Sequence, residues 1–183
     1  MSADQQSSYR QIMKATSLFG GVQVFNILIS IIRSKVIAVL LGPSGMGIMG
    51  LLTSTVGVIG SLTNFGLGTS AVKDVAAANS TGDNLRISTI VSVFRRLVWI
   101  TGFLGALLTL ILSPWLSRLT FGNNNYTIAF IWISITLLLN QLSSGQLVIL
   151  QGMRKLQYLA KANLLGSTLS LFVTLPLYFF YGL

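Results

Sequence analysis

The sequence predicts an all-α integral membrane protein with five transmembrane helices. Of its 183 residues, 52% are hydrophobic and only 8% are charged, whereas soluble domains average about 25% charged residues. A bilayer-crossing helix needs about 20 mostly apolar residues, and five stretches of this kind are bounded by charged or turn-forming residues. Most of the basic residues also fall between alternate apolar stretches, as in a multi-span protein.

The predicted chain consists of a short arm, residues 1–14, and a transmembrane domain, residues 15–183. The first span ends at a Gly-Pro-Ser-Gly sequence, 42–45, which interrupts a helix. The fourth follows a turn-forming Gly-Asn-Asn-Asn sequence, 122–125. A signal peptide is a less favoured interpretation of the first span, because that span is longer than a typical h-region. The five predicted spans cover about 15–41, 46–71, 97–115, 126–150 and 164–181.

The segment before the third span leaves two interpretations open. Residues 79–83 have the composition of a loop, and Asp83 or Asn84 is a candidate helix N-cap. Residues 85–96 then form either an amphipathic stretch at the anionic inner leaflet or a solvated basic loop.

The distribution of charge predicts a cytoplasmic N-terminus. With that orientation, nine of the 12 Lys and Arg residues lie on the inner side and only Arg118 lies on the outer side. The other two, Arg33 and Lys35, lie within the first predicted span. An excess of basic residues in cytoplasmic segments is the strongest sequence signal for orientation.

The composition excludes several classes of function. The chain has no His and no Cys, so it lacks the usual zinc ligands, a cysteine nucleophile and a Ser-His-Asp triad. We therefore predict no catalytic residues, no metal and no cofactor. Nucleic acid is not an expected partner, because the basic residues interrupt apolar runs instead of forming a soluble basic face. A membrane enzyme would need a carboxylate at the membrane edge, and only Asp74 and Asp83 are available.

Arg33 is the main candidate for a binding residue. It lies roughly 7 Å from the midpoint of the first predicted span, where a guanidinium costs about 2.5 to 3.5 kcal/mol to bury. On an ideal helix four polar residues lie within about 100° of it. Such a stripe predicts a cavity in which Arg33 binds an anion. The four residues are Gln23, Asn26, Ser30 and Thr16.

Other polar and small residues are weaker candidates. Lys35 lies about 200° from Arg33 on an ideal helix, so it is either a second cavity residue or a lysine that snorkels to the interface. Asn140 and Gln141 of the fourth span either line the cavity or form hydrogen bonds to neighbouring helices. In the second span, pairs of small residues four apart, such as 50 with 54 and 57 with 61, predict close helix packing.

Three stretches carry a resemblance to a known family. They are residues 30–47 (SIIRSKVIAVLLGPSGMG), residues 65–73 (FGLGTSAVK), and residues 150–156 (LQGMRKL) followed by 160–163 (AKAN). These stretches resemble Wzx-type O-antigen and polysaccharide flippases, members of the multidrug/oligosaccharidyl-lipid/polysaccharide exporter superfamily. The resemblance extends over essentially the whole chain.

The resemblance implies a function in transport. Flippases of this type move undecaprenyl-diphosphate-linked oligosaccharides from the inner to the outer leaflet of the bacterial plasma membrane by alternating access. The implied partners are this lipid-linked substrate, membrane lipids and other polysaccharide assembly proteins. The implied fold has two six-helix lobes around a basic cavity, and the residue that matches Arg33 lines that cavity in related lipid II flippases.

Two alternatives follow from the same comparison. Five spans correspond to most of one lobe, so the chain is expected to be an N-terminal part of such a protein, or an inactive truncated membrane protein. The alternative to a flippase function is a multidrug antiporter of the same superfamily. Cation exchange requires carboxylates inside the membrane, and all three Asp residues lie outside the predicted spans.

Overall fold

The described part of the chain, residues 3–181 of a computed structural model, contains six helices and no strand, which confirms the all-α class. Side chains are described except at residues 1–12, 14–16, 18–19, 175 and 177–183. The chain divides into two compact units, Met1–Gly47 with Lys155–Leu183, and Ile48–Arg154. The helices are α1 (Ala3–Asn64), α2 (Leu67–Thr81), α3 (Asn84–Ile111), α4 (Ser113–Phe121), α5 (Thr127–Gly152) and α6 (Leu156–Tyr181).

Three helical segments in the described residues are long and apolar enough to cross a membrane, namely Gly20–Asn64, Asn84–Ile111 and Thr127–Gly152. Large apolar side chains project outward from each of them: Val39 is 77% exposed, Phe103 61% and Trp132 68%. Apolar surface on this scale is rare on a soluble monomer, and it is typical of helices that contact the hydrocarbon of a lipid bilayer. The fourth predicted span, residues 126–150, coincides with α5 to within two residues.

Helix α1 contains the first predicted span and most of the second. Its only non-helical residue is Gly42, with φ 67° and ψ −177°, a conformation that is essentially restricted to glycine. Pro43 follows, and proline is favoured at the start of a helical segment because it has no N–H to leave unpaired. The chemistry at this joint was therefore predicted correctly, although only one residue leaves the helix.

The predicted end of the second span, about residue 71, is wrong. Helix α1 ends at Asn64, and the next two residues adopt left-handed backbone angles, φ 48° at Phe65 and φ 67° at Gly66. A new helix, α2, begins at Leu67 and contains Ala71. At 15 residues α2 is about 22 Å long, which is shorter than the hydrocarbon layer.

The segment before the third span is helical, so the solvated-loop interpretation of residues 85–96 is wrong. The predicted loop at 79–83 reduces to a tight turn, because α2 continues to Thr81 and Gly82 ends it at φ 68°. Asp83 is the N-cap of α3 as predicted, and its Oδ1 accepts hydrogen bonds from the backbone N–H groups of Leu85 (3.0 Å) and Arg86 (3.1 Å).

The third predicted span, 97–115, differs from α3 at both ends. Helix α3 begins earlier, at Asn84, and it ends at Ile111, with a break at Leu112. Pro114 lies in the first turn of α4, where a missing N–H is tolerated. Pro114 lies within the last residues of the predicted span, but in the structure it starts a separate short helix.

The predicted turn at 122–125 is confirmed between α4 and α5. Gly122 ends α4 with φ 72°. The Ser117 hydroxyl donates to the Asn123 carbonyl at 2.7 Å and accepts from the Tyr126 N–H at 3.3 Å. The rings of Phe121 and Tyr126 stack with centroids 4.1 Å apart. These contacts hold the end of α4 against the start of α5.

Helices α2, α3 and α5 pack closely within the second unit, around a small cluster of Ala71, Phe94, Val98 and Ile149. Glycines allow this approach at two positions of α5. A Cβ on Gly145 would lie 2.8 Å from Cγ1 of Val98, and a Cβ on Gly152 would lie 2.7 Å from Cβ of Val75. At Gly50 and Gly57, which were predicted to mediate packing, an added Cβ would have no atom of the described residues within 4 Å beyond its own helix backbone.

Replacing Gly152 with alanine is expected to destabilise the second unit. The added methyl would collide with Val75 Cβ, an atom that cannot move without its backbone, and overpacking of this kind costs about 1 to 3 kcal/mol. The matched control is Gly57→Ala, where the site is open and alanine is the better helix former. The measurement is the unfolding midpoint of each purified variant in detergent. Equal midpoints for Gly152→Ala and the unchanged protein would contradict this packing.

Candidate functional site

Arg33 lies on the shielded face of α1 in the first unit. Between residues 20 and 40, the side chains that are buried or half-buried follow one another at helical spacing, and every other side chain in this stretch is exposed. Arg33 belongs to this face although it is charged. It lies nine residues before the Gly42 break, about 14 Å along the helix axis. The shielded residues are Val22, Asn26, Ile29, Arg33, Val36 and Ile37.

The guanidinium of Arg33 contacts a polar residue of α6. Its Nη1 donates a hydrogen bond to the Ser170 hydroxyl oxygen at 3.4 Å. The distance is longer than the usual 2.7 to 3.2 Å, so the contact is weak. A guanidinium has five N–H donors, and this is the one hydrogen bond it makes to the described residues. Most of its N–H groups therefore have no hydrogen-bond partner among the described residues.

The structure divides the predicted polar stripe into two groups. Asn26 shares the shielded face with Arg33, and its side-chain Oδ1 is buried without a hydrogen-bond partner among the described residues. Gln23 and Ser30 are exposed, and the Ser30 hydroxyl donates to the Ile27 carbonyl of its own helix at 2.8 Å. The fifth member, Thr16, has a side chain outside those described.

Lys35 does not join Arg33. Its side chain is exposed, two residues further along α1 and off the shielded face. An ammonium at the exposed surface of an apolar helix reaches the interface by extending its methylene chain. The position of Lys35 therefore favours the snorkelling interpretation over a role in the cavity.

Gln141 makes hydrogen bonds to two other helices of the second unit. Its Nε2 is 3.3 Å from Asn64 Oδ1 at the end of α1 and 3.3 Å from Thr101 Oγ1 of α3. Asn140 is exposed, and the two neighbouring amides therefore point to different surroundings. The helix-to-helix interpretation thus fits Gln141, and hydrogen bonds of this type contribute roughly 0.6 kcal/mol each in membrane proteins.

Sequence reasoning missed the partners in both polar contacts, Ser170 for Arg33 and Asn64 with Thr101 for Gln141. The available signal was weak. Ser167, Thr168 and Ser170 interrupt the apolar run of α6, but hydroxyl residues are common in membrane helices and usually bond to their own backbone. Only the contact with Arg33 distinguishes Ser170 from its neighbours.

The second unit contains a cavity of about 460 Å³ formed by α1, α3 and α4. Its walls are apolar apart from several hydroxyl groups, most of which are already used. Thr55, Thr63 and Thr109 donate to carbonyl oxygens of their own helices at 2.8 to 2.9 Å. This cavity offers an anion no free donor comparable to Arg33, so we place the candidate site in the first unit.

Comparison with known proteins identifies the family. A profile of the family described as "Polysaccharide biosynthesis protein" matches residues 12–183. Searches of curated proteins and of solved structures give no significant match. Because the profile extends over all but the first eleven residues, the chain belongs to the family of polysaccharide biosynthesis proteins.

Proposed function

We propose that the protein takes part in moving an undecaprenyl-diphosphate-linked oligosaccharide, such as an O-antigen unit, from the inner to the outer leaflet of the bacterial plasma membrane. Membership of a polysaccharide biosynthesis family supports this proposal, as do apolar helices of membrane-spanning length. The observation that carries it is the place of Arg33, a half-buried cation on the shielded face of an apolar helix.

The chemistry of transport explains why such a cation is useful. A diphosphate has to pass through a layer in which an isolated charge is strongly disfavoured. A guanidinium can form paired, charge-assisted hydrogen bonds with phosphate oxygens and offset part of the desolvation cost. In this proposal Arg33 binds the diphosphate while the site is open to the inner side, and releases it after the protein opens to the outer side.

The distribution of carboxylates favours this function over cation export. Antiport of a cation requires an acidic group within the membrane. Asp74 lies on α2, which is too short to cross, and Asp83 is the exposed N-cap of α3. Neither of these two carboxylates lies on the face that carries Arg33, and the side chain of Asp4 lies outside those described.

We further propose the five-span topology, with α1 crossing twice. The apolar segment Gly20–Asn64 has 45 residues and would be about 68 Å long, over twice the thickness of the hydrocarbon layer. Gly42 divides it into two parts that are each long enough to cross once. With a cytoplasmic N-terminus, the Gly42 joint and the 122–125 turn lie outside. The bases Lys73, Arg86, Arg95 and Arg96 then lie at the inner side.

The topology can be tested with single cysteines, because the chain has none of its own. Ser44→Cys and Asn124→Cys are expected to react with a membrane-impermeant maleimide in intact cells. Ser80→Cys is expected to react only after permeabilisation, and all three positions are exposed. The measurement is the fraction of protein labelled under each condition. Labelling of position 80 but not of position 44 in intact cells would contradict the proposed orientation and indicate the opposite one.

Arg33→Ala is expected to abolish display of the polysaccharide at the cell surface and to raise the level of lipid-linked oligosaccharide in the inner leaflet. Removal of the guanidinium leaves the diphosphate without its cation in the membrane. Arg33→Lys should retain only part of the activity, since an ammonium cannot pair with two phosphate oxygens in the same planar geometry. The measurements are surface polysaccharide and the pool of lipid-linked intermediate, normalised to protein in the membrane.

The matched control is Arg86→Ala, which removes the same charge from an exposed position at the start of α3. It is expected to leave display unchanged. Normal display with Arg33→Ala, at normal protein level, would reject the role proposed for Arg33.

A further inference from the structure

We propose that Ser170 of α6 is a second donor of the Arg33 site, and that its hydroxyl and the guanidinium together bind one diphosphate group. The inference rests on the proposed function and adds to it a specific residue on a second helix. It starts from a hydrogen bond between these two helices within the first unit, from Arg33 Nη1 to Ser170 Oγ.

Ser170 differs from the neighbouring hydroxyl residues of α6 in how its proton is used. Ser167 and Thr168 both donate to the Leu164 carbonyl of their own helix, at 3.1 Å and 2.7 Å. This back-bonding is the ordinary state of a hydroxyl within a helix. The Ser170 oxygen instead accepts from Arg33, and its own proton has no acceptor among the described residues. The hydroxyl can therefore donate to a ligand.

The arrangement suits an anion that lies between the two side chains. A serine oxygen that accepts from a guanidinium directs its own proton away from that cation, and the cation polarises the O–H bond. A phosphate oxygen beside both groups would accept from the hydroxyl of Ser170 and from a free N–H of Arg33. The long 3.4 Å separation between the two protein atoms leaves them able to part when the anion enters.

Asn26 extends the same face toward the part of the ligand that is not charged. It precedes Arg33 by seven residues, about 10 Å along α1, and its buried Oδ1 has no donor in the part of the chain that the structure describes. An oxygen acceptor repels phosphate but accepts a hydrogen bond from a hydroxyl group. Donors at Arg33 and Ser170, with an acceptor two turns away, match an anionic group attached to a hydroxyl-bearing sugar.

The experiment measures binding of fluorescently labelled undecaprenyl diphosphate to the purified full chain in detergent. Ser170→Ala is expected to weaken binding about tenfold, the effect of one hydrogen bond to a charged group. Ser170→Thr keeps the hydroxyl and is expected to retain most of the affinity. The matched control is Ser167→Ala, which removes the same group three residues earlier from a hydroxyl that bonds to its own helix. Melting temperature verifies that each variant is folded.

The separate outcomes distinguish this inference from the proposed function. Loss of binding with Arg33→Ala but not with Ser170→Ala would overturn the role of Ser170 and leave that of Arg33 intact. Unchanged binding with Arg33→Ala would overturn both. Binding of uncharged undecaprenol should be equal in all variants, because neither the Arg33 guanidinium nor the Ser170 hydroxyl binds the lipid chain. Competition by phosphatidylglycerol as effective as by unlabelled undecaprenyl diphosphate would reveal a general site for lipid headgroups and overturn the assignment to a diphosphate.

Discussion

The absence of water from the hydrocarbon layer is the constraint on which the rest of this structure depends. Each backbone N–H and C=O has to be paired within the protein, and the described residues achieve this with helices and tight turns alone. Side-chain hydroxyls obey the same requirement. Thr101, Thr109 and Ser134 are buried and donate to carbonyls of their own helices at 2.6 to 2.9 Å. Their hydroxyl groups are therefore paired, and these polar side chains pack in the interior without leaving a donor unsatisfied.

A few polar side chains of the described residues, by contrast, do not form their hydrogen bonds within their own helix. Gln141 joins three helices of the second unit and thus uses its donors for structure. Among the described side chains, Arg33 makes one weak hydrogen bond and leaves several N–H groups unpaired, and the buried Asn26 Oδ1 has no donor. An unpaired buried polar group costs about 1 to 3 kcal/mol. In the proposed function, a ligand supplies the missing partners of these two groups and offsets that cost.

The sequence predicted those features that depend on local chemistry. The Gly42-Pro43 joint, the Asp83 cap and the turn at 122–125 follow from the backbone preferences of Gly, Pro, Asp and Asn, and all three are present. The break at Phe65 was missed because phenylalanine carries no preference for φ 48°. Helix α2 was missed for a related reason, since its apolar residues continue the composition of the preceding span. Among the described residues the closely packed glycines include Gly145 and Gly152 of α5 and not Gly50 or Gly57. Spacing alone does not reveal which face a neighbour covers.

The candidate site was also predictable in part, because charge and helical spacing are local features of the sequence. An arginine within an apolar run is evident from the sequence alone, and helical geometry predicted that Asn26 shares its face, about two turns away. The same geometry could not separate Asn26 from Gln23 and Ser30, because shielding depends on what packs against the helix. Nor could it find Ser170, 137 residues away, since its role arises only from contact with Arg33. Arg33 and Lys35 carry equal charge two residues apart, yet only one lies on the shielded face. The charge of both residues marks them as candidates in the sequence, and only the packing of the helix distinguishes Arg33 from Lys35.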